Sequence, residues 1–293
     1  MKFGIQTLFG GKEASKPEYV VATGKGAEDR GFASIWVAEH VVAFEKYNSP
    51  YPYSEDGIPP FTTENGIIEP LTALSFLAAQ TSKIRLGTGI VILPQRNPVY
   101  TAKQAADVDV LSGGRLDFGI GLGWSAQEYE ACATPFDRRG RRAWDYLNVM
   151  RSLWTEDLSS YEGEFYTLPE CVQGPKPVQT PHMPLYFGGE SDPALRRVSE
   201  FGQGWLGYQL TPQTLPERLE KLGDMLEERG RSLADIQIAI SPYDTTLDLD
   251  TVKRFSDLGV HQLVTIAFAD NVDGMLAQLD KLAEELVVPG ANI

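Results

Sequence analysis

Along the chain, short runs that are apolar almost throughout alternate with longer stretches in which apolar residues recur every three to four positions. The short runs suit strands buried on both faces, and the longer stretches suit amphipathic helices. The runs are Lys2–Leu8, Phe32–Ala38, Ile84–Leu93, Arg115–Ile120, Pro184–Gly188, Gly204–Tyr208, Ile236–Ser241 and His261–Ala267. Helices are predicted from Pro17 to Arg30-Gly31, Glu69 to Thr81, about Val99 to Leu111, through Ala143, Leu147, Met150 and Trp154, through Leu195, Val198 and Phe201, about Pro212 to Gly230, Leu249 to Leu258, and Val272 to Leu286. Alternating strands and helices imply a parallel sheet, and eight pairs in 293 residues imply a closed (β/α)8 TIM barrel. A doubly wound open sheet is the competing fold. It is disfavoured because the alternation persists to the C-terminus and no linker is visible. A single domain, 1–293, is expected, with insertions at about 41–68 and 155–182.

Both insertions break the alternation. The first carries Pro50, Pro52, Pro59 and Pro60 among Phe44, Tyr47, Tyr51, Tyr53 and Phe61. So many aromatics argue against disorder and for a functional lid. The second reads as a small hairpin around Gly163 followed by the proline-rich connector GPKPVQTPHMP.

Composition narrows the function classes. The net charge is −14, from 40 acidic against 26 basic residues, which disfavours a nucleic-acid partner. Any anionic ligand would need a local site of backbone N–H groups or a few arginines. Cys132 and Cys171 form no disulfide framework or metal-ligand set, and suit free thiols in a reducing cytoplasm. No apolar run approaches the ~18 residues of a membrane span, and MKFGIQTLFGG lacks the pattern of a signal peptide.

In a barrel of this kind chemistry belongs at the C-terminal strand ends. Those ends carry Gln6-Thr7, Glu39-His40, Thr88-Gly89-Ile90, Gly121 to Trp124, Gly188 to Ser191 and Tyr208-Gln209. They are rich in glycine and poor in metal ligands, so no metal site is expected. Glu39 and Glu128 both sit near strand ends, as a two-carboxylate glycosidase would require. His40 could be a general acid/base or a histidine bonded to the loop that follows it. His182 and His261 fall in structural positions. Gly188-Gly189-Glu190-Ser191-Asp192 opens a helix and could bind phosphate or simply cap the helix.

Several stretches together resemble one family: SIWVAEHV (34–41), KIRLGTGIVILPQRNPV (83–99), AKQAADVDVLSGGRLDFGIGLGW (102–124) with Glu128, FDRRGRR (136–142), GPKPVQ (174–179) and FGGES (187–191). The chain resembles the bacterial-luciferase-like flavin-barrel superfamily, in particular its branch using the deazaflavin coenzyme F420. The resemblance covers roughly residues 1–210. It implies a TIM barrel with a bulge in the third strand, a cis peptide between Gly89 and Ile90, and the coenzyme phosphate at Gly188–Ser191. It implies His40 as acid/base. On this reading Gln6, Thr88, Gly89, Ile90, Gly121, Gly123, Gly188, Gly189 and Ser191 contact the coenzyme, and Trp124 and Phe44 the substrate. Sugar-phosphate members carry an acidic residue about where Trp124 stands, so such a substrate is not implied. The expectation is an F420-dependent oxidoreductase acting on a small organic molecule as a cytoplasmic homodimer. An FMN-dependent monooxygenase and a non-catalytic barrel are the alternatives.

Overall fold

The structure, a computed structural model, describes residues 1–59, 66–243 and 247–293. Its strands are β1 (Lys2–Thr7), β2 (Ser34–Val37), β3 (Arg85–Thr88), β4 (Val91–Ile92), β5 (Leu116–Gly121), β6 (Ser159–Glu162), β7 (Thr167–Cys171), β8 (Leu185–Gly188), β9 (Gly204–Tyr208), β10 (Gln237–Ser241) and β11 (Gln262–Ile266). All except β6 and β7 are parallel. They close a barrel in the order β1, β2, β3/β4, β5, β8, β9, β10, β11 and back to β1. The eight predicted strand positions are therefore present, and the barrel is closed as expected.

The α-helices from Gly11 to Leu282 are α1 (Gly11–Ala14), α2 (Pro17–Asp29), α3 (Pro70–Ala78), α4 (Pro98–Ser112), α5 (Ala126–Ala131), α6 (Arg139–Thr155), α7 (Asp192–Phe201), α8 (Leu215–Glu227), α9 (Leu249–Asp257) and α10 (Val272–Leu282). Proline in the first turn starts α2, α3, α4, α7 and α8, where a missing N–H costs nothing. The side chains of Glu69 and Asn97 cap α3 and α4, and Gly113 ends α4 at φ 68°. Two short helices, α1 and α5, were not anticipated. Such lengths carry no readable periodicity, and α5 owes its start to Ser125, whose hydroxyl accepts the Glu128 N–H at 3.3 Å.

Inside the barrel Trp36, Tyr186, Leu206, Ala239 and Val264 form a packed cluster, with Ile90 against it. A larger apolar shell lies between the strands and helices. The third strand is interrupted. Leu86 pairs with Leu116 and Val91 with Ile120, so five steps along it match four along β5. The extra residue is the expected bulge, and the Gly89–Ile90 peptide within it is cis.

The second insertion contains the predicted hairpin, β6 with β7. It is held to α6 by the Tyr161 hydroxyl, which donates to Asp145 at 3.0 Å. Within the first insertion, residues 41–59 form no helix or strand. Pro60 and Phe61 lie outside the described residues.

Candidate active site

A cavity of about 330 Å3 opens at the C-terminal strand ends. It brings together Gln6 from β1, His40 after β2, Gly89 and Ile90 from the bulge, Gly121, Gly123 and Trp124 after β5, and Gly188, Gly189 and Ser191 after β8. Two predicted site residues lie elsewhere. Thr88 is buried, and its hydroxyl both donates to the Gly119 carbonyl and accepts from the Gly119 N–H at 2.7 Å, fastening β3 to β5. Phe44 packs edge-on against Tyr47, 5.5 Å between ring centres, and does not line the cavity.

The bulge organises the glycines. A Cβ on Gly121 would lie 2.7 Å from Ile90 Cγ1, and one on Gly188 would lie 3.2 Å from Ile90 Cγ2. These glycines thus leave room for the Ile90 side chain, which their spacing alone did not reveal. The Gln6 amide donates to the Gly89 carbonyl at 3.2 Å and holds the bulge from β1.

His40 stands on the cavity wall with its Nδ1 2.9 Å from Glu128 Oε2. Glu128 is buried at the start of α5, and its other oxygen accepts the Val41 N–H at 2.8 Å. An ionised carboxylate only accepts. Glu128 therefore keeps the proton of a neutral His40 on Nδ1 and makes Nε2 the basic nitrogen. Glu39, one residue before His40, has a different partner. It takes Arg96 Nε at 2.8 Å, and Arg96 also binds Glu69. Burial alone would lower the Arg96 pKa; the two carboxylates outweigh it and raise it. Glu39 is committed to Arg96 and to the Ile92 N–H, although burial still raises its carboxyl against that pull, and this commitment removes the glycosidase arrangement.

A second group of cavity residues is cationic and escaped the sequence reading. Arg139, at the start of α6, has a buried Nε with no partner among the described residues, while its guanidinium stacks 3.8 Å above Phe136. Arg197 on α7 lines the same cavity, and burial and the neighbouring Arg139 bring its pKa down to about 10. Ser191 stands at the N-cap of the ten-residue α7 without a side-chain capping bond, and Gly189 has φ 102°. Two arginines beside a helix N-terminus suit an anion. FDRRGRR held the available signal for Arg139, but nothing in the sequence pointed that arginine toward α7.

The described part of the first insertion closes on the cavity through aromatic contacts. Tyr47 lies 5.2 Å and Tyr51 5.4 Å from Trp124, and Tyr53 lies 4.9 Å from Tyr208. Burial, with a smaller contribution from Glu190, pushes the Tyr53 hydroxyl up to about 12. The Asn48 N–H donates to Gln127 on α5 at 2.6 Å, and Gln127 returns a bond to the Lys46 carbonyl at 3.2 Å. Among the described residues, no cluster of three or more His, Cys, Asp or Glu could hold a metal, and no helix is long and apolar enough to cross a membrane.

Known proteins share this architecture. An uncharacterized protein of Mycobacterium tuberculosis is 30% identical over 246 residues, 84% of each chain. The coenzyme F420 dependent tetrahydromethanopterin reductase of Methanopyrus kandleri superposes with a TM-score of 0.74 at 18% identity, over 98% of both chains. The monooxygenase RslO1 of Streptomyces bottropensis does so with a TM-score of 0.75 at 19% identity, over 98% of this chain and 99% of its own. A family model for luciferase-like monooxygenases matches residues 1–243. With that match over a barrel whose strand ends form one cavity, the chain belongs to the luciferase-like monooxygenase family and is an oxidoreductase.

Proposed function

We propose that this protein is a coenzyme F420-dependent oxidoreductase that moves a hydride between the deazaflavin and a small organic substrate, with His40 exchanging the accompanying proton. The observation that carries the reading is the His40–Glu128 pair on the cavity wall, 2.9 Å from Nδ1 to Oε2. Hydride transfer to or from an oxygen-bearing carbon needs one proton moved, and an imidazole held by a carboxylate is suited to that task at neutral pH.

The residues present fit such a coenzyme. The partnerless buried Nε of Arg139, the depressed pKa of Arg197 and the uncapped start of α7 suit its anionic part. Arg139, Arg197, Ser191 and the Gly188-Gly189 backbone would hold that part, and Gln6, Gly89, Ile90, Gly121 and Gly123 would contact the ring. The bound coenzyme supplies the two-electron redox chemistry. The protein supplies orientation, a proton at His40 Nε2, and exclusion of water by the aromatic segment 41–59.

Replacing His40 by Ala is expected to lower turnover by ~10²–10⁴ while leaving coenzyme affinity intact. Steady-state kinetics with a parallel coenzyme titration checks this, and unchanged turnover would falsify the role of His40. The likeness to a monooxygenase favours a second reading, reduced FMN with oxygen on the same fold. Titrating the protein separately with reduced F420 and reduced FMN decides between them. Tight FMN binding without F420 binding reverses the choice. We further propose a homodimer, supported by the exposed apolar Phe76, Tyr100 and Leu111 on α3 and α4. Sedimentation at the monomer mass contradicts it.

A further inference from the structure

Residues 41–59 form neither helix nor strand, so side chains from elsewhere help to hold their backbone. Two of these side chains are consecutive on α5. Glu128 accepts the Val41 N–H at 2.8 Å and holds the His40 ring at 2.9 Å. Gln127 accepts the Asn48 N–H at 2.6 Å and donates its amide to the Lys46 carbonyl at 3.2 Å. Neighbouring helical residues point about 100° apart, which lets Glu128 reach inward to His40 while Gln127 reaches the segment nearer the surface. His40 itself stands between a fixed point and a loose one. Before it, Glu39 is tied to Arg96; after it, the irregular segment begins. Where that segment is seated therefore decides whether Val41 and His40 stay on Glu128.

We infer that Gln127 is a positioning residue that couples the seating of segment 41–59 to the proton held on His40. By fastening Lys46 and Asn48 it shortens the free tether after His40, and a short tether gives the ring less freedom to leave Glu128. His40 is then set with its proton on Nδ1 while the segment covers the cavity, so that proton exchange and exclusion of water occur together. The inference rests on the acid/base reading of His40 above. Two features distinguish Gln127 from an ordinary polar side chain on a helix surface. Both ends of its amide are used, one on a carbonyl and one on an N–H two residues further on, which fixes the register of the segment against α5. Neither bond serves α5 itself, whose start is capped by Ser125 and whose Tyr129 hydroxyl donates to the Leu122 carbonyl.

The test uses coenzyme-free protein carrying isotope-labelled histidine. Gln127→Met keeps the length of the side chain and its helix preference and removes both bonds. The first readout is trypsin, which cuts after Lys46 at the peptide whose carbonyl Gln127 holds. Peptide mapping is expected to show cleavage there rising ~5–50-fold, because the protease samples the unseated segment. The second readout is the pair of ring-nitrogen resonances of His40, identified by their loss in His40→Ala and recorded where the ring is neutral. The wild-type ring is expected to carry its proton on Nδ1, and Gln127→Met to show a mixture of the two tautomers. Glu130→Ala, at an exposed position of the same helix, is expected to change neither readout. Unchanged cleavage at Lys46, an unchanged His40 signature, or equal changes in Glu130→Ala overturns the inference, as does a wild-type ring protonated on Nε2. If the wild-type protein binds no F420, the coenzyme reading fails while the two readouts still decide the role of Gln127.

Discussion

Glu39, just after β2, and Glu128, on α5 beyond β5, are two buried carboxylates, 3% and 2% exposed, with opposite employment. Glu39 faces a guanidinium that is itself shared with Glu69, and this triad ties β2 to the start of α3 and the segment after β4. Among the described residues, Glu128 has no arginine or lysine as a hydrogen-bond partner. It takes the imidazole of His40, the N–H of Val41 and, at 3.4 Å, the amide of Gln95. Equal burial therefore does not give equal function. A carboxylate neutralised by a fixed cation holds the scaffold, whereas one facing a titratable ring sets that ring's tautomer.

The sharpest way to break this contrast is Arg96→Met. It leaves Glu39 buried without its cation and is expected to cost ~3–5 kcal/mol in urea unfolding. A loss below about 1 kcal/mol would show that Glu39 is not held as an anion. Glu128→Gln addresses the other carboxylate. The Gln amide can donate to His40 Nδ1 and shift the ring proton to Nε2, so turnover is expected to fall ~10–10²-fold with little change in unfolding midpoint, and more for substrate oxidation than for reduction. Equal kinetics in both directions would reject the tautomer argument.

The smallest effect belongs to a third carboxylate, Glu28, held mainly by backbone N–H groups, with the Arg115 guanidinium acting on it only through space. It accepts the N–H groups of Ser82, Lys83 and Ile84 just before β3. Burial works to raise its pKa, but these bonds outweigh it and hold the carboxyl at about 2. A folded pKa below the unfolded value of 4.5 means the stabilisation is present above that value and disappears as pH falls toward 2. Glu28→Ala is expected to cost about 1 kcal/mol at neutral pH, given solvent screening, with the gap to wild type narrowing below about pH 4.5. A gap independent of pH would contradict this.

The barrel was readable because burial on both faces forces near-continuous apolar strands, as in Ser34–Val37, and because prolines and caps mark the helix starts. The candidate site was legible only in outline. His40, Trp124 and the strand-end glycines follow from knowing which end of each strand carries chemistry. Thr88 was read as a coenzyme contact because it sits beside the bulge, yet the pleat turns its hydroxyl toward Gly119.

The interruption of the third strand was expected only from the family resemblance, whereas local sequence determined the eight strand–helix units and the residues standing at each strand end. These depend on periodicity, turn chemistry and chain direction, which neighbouring residues encode. Tertiary structure alone decided the partners: Glu128 for His40, Arg96 for Glu39, Arg139 beside Arg197, and Ile90 over Gly121 and Gly188. Each pair joins different strand–helix units, and closure of the barrel, which no short stretch of chain records, brings their members within a few ångströms.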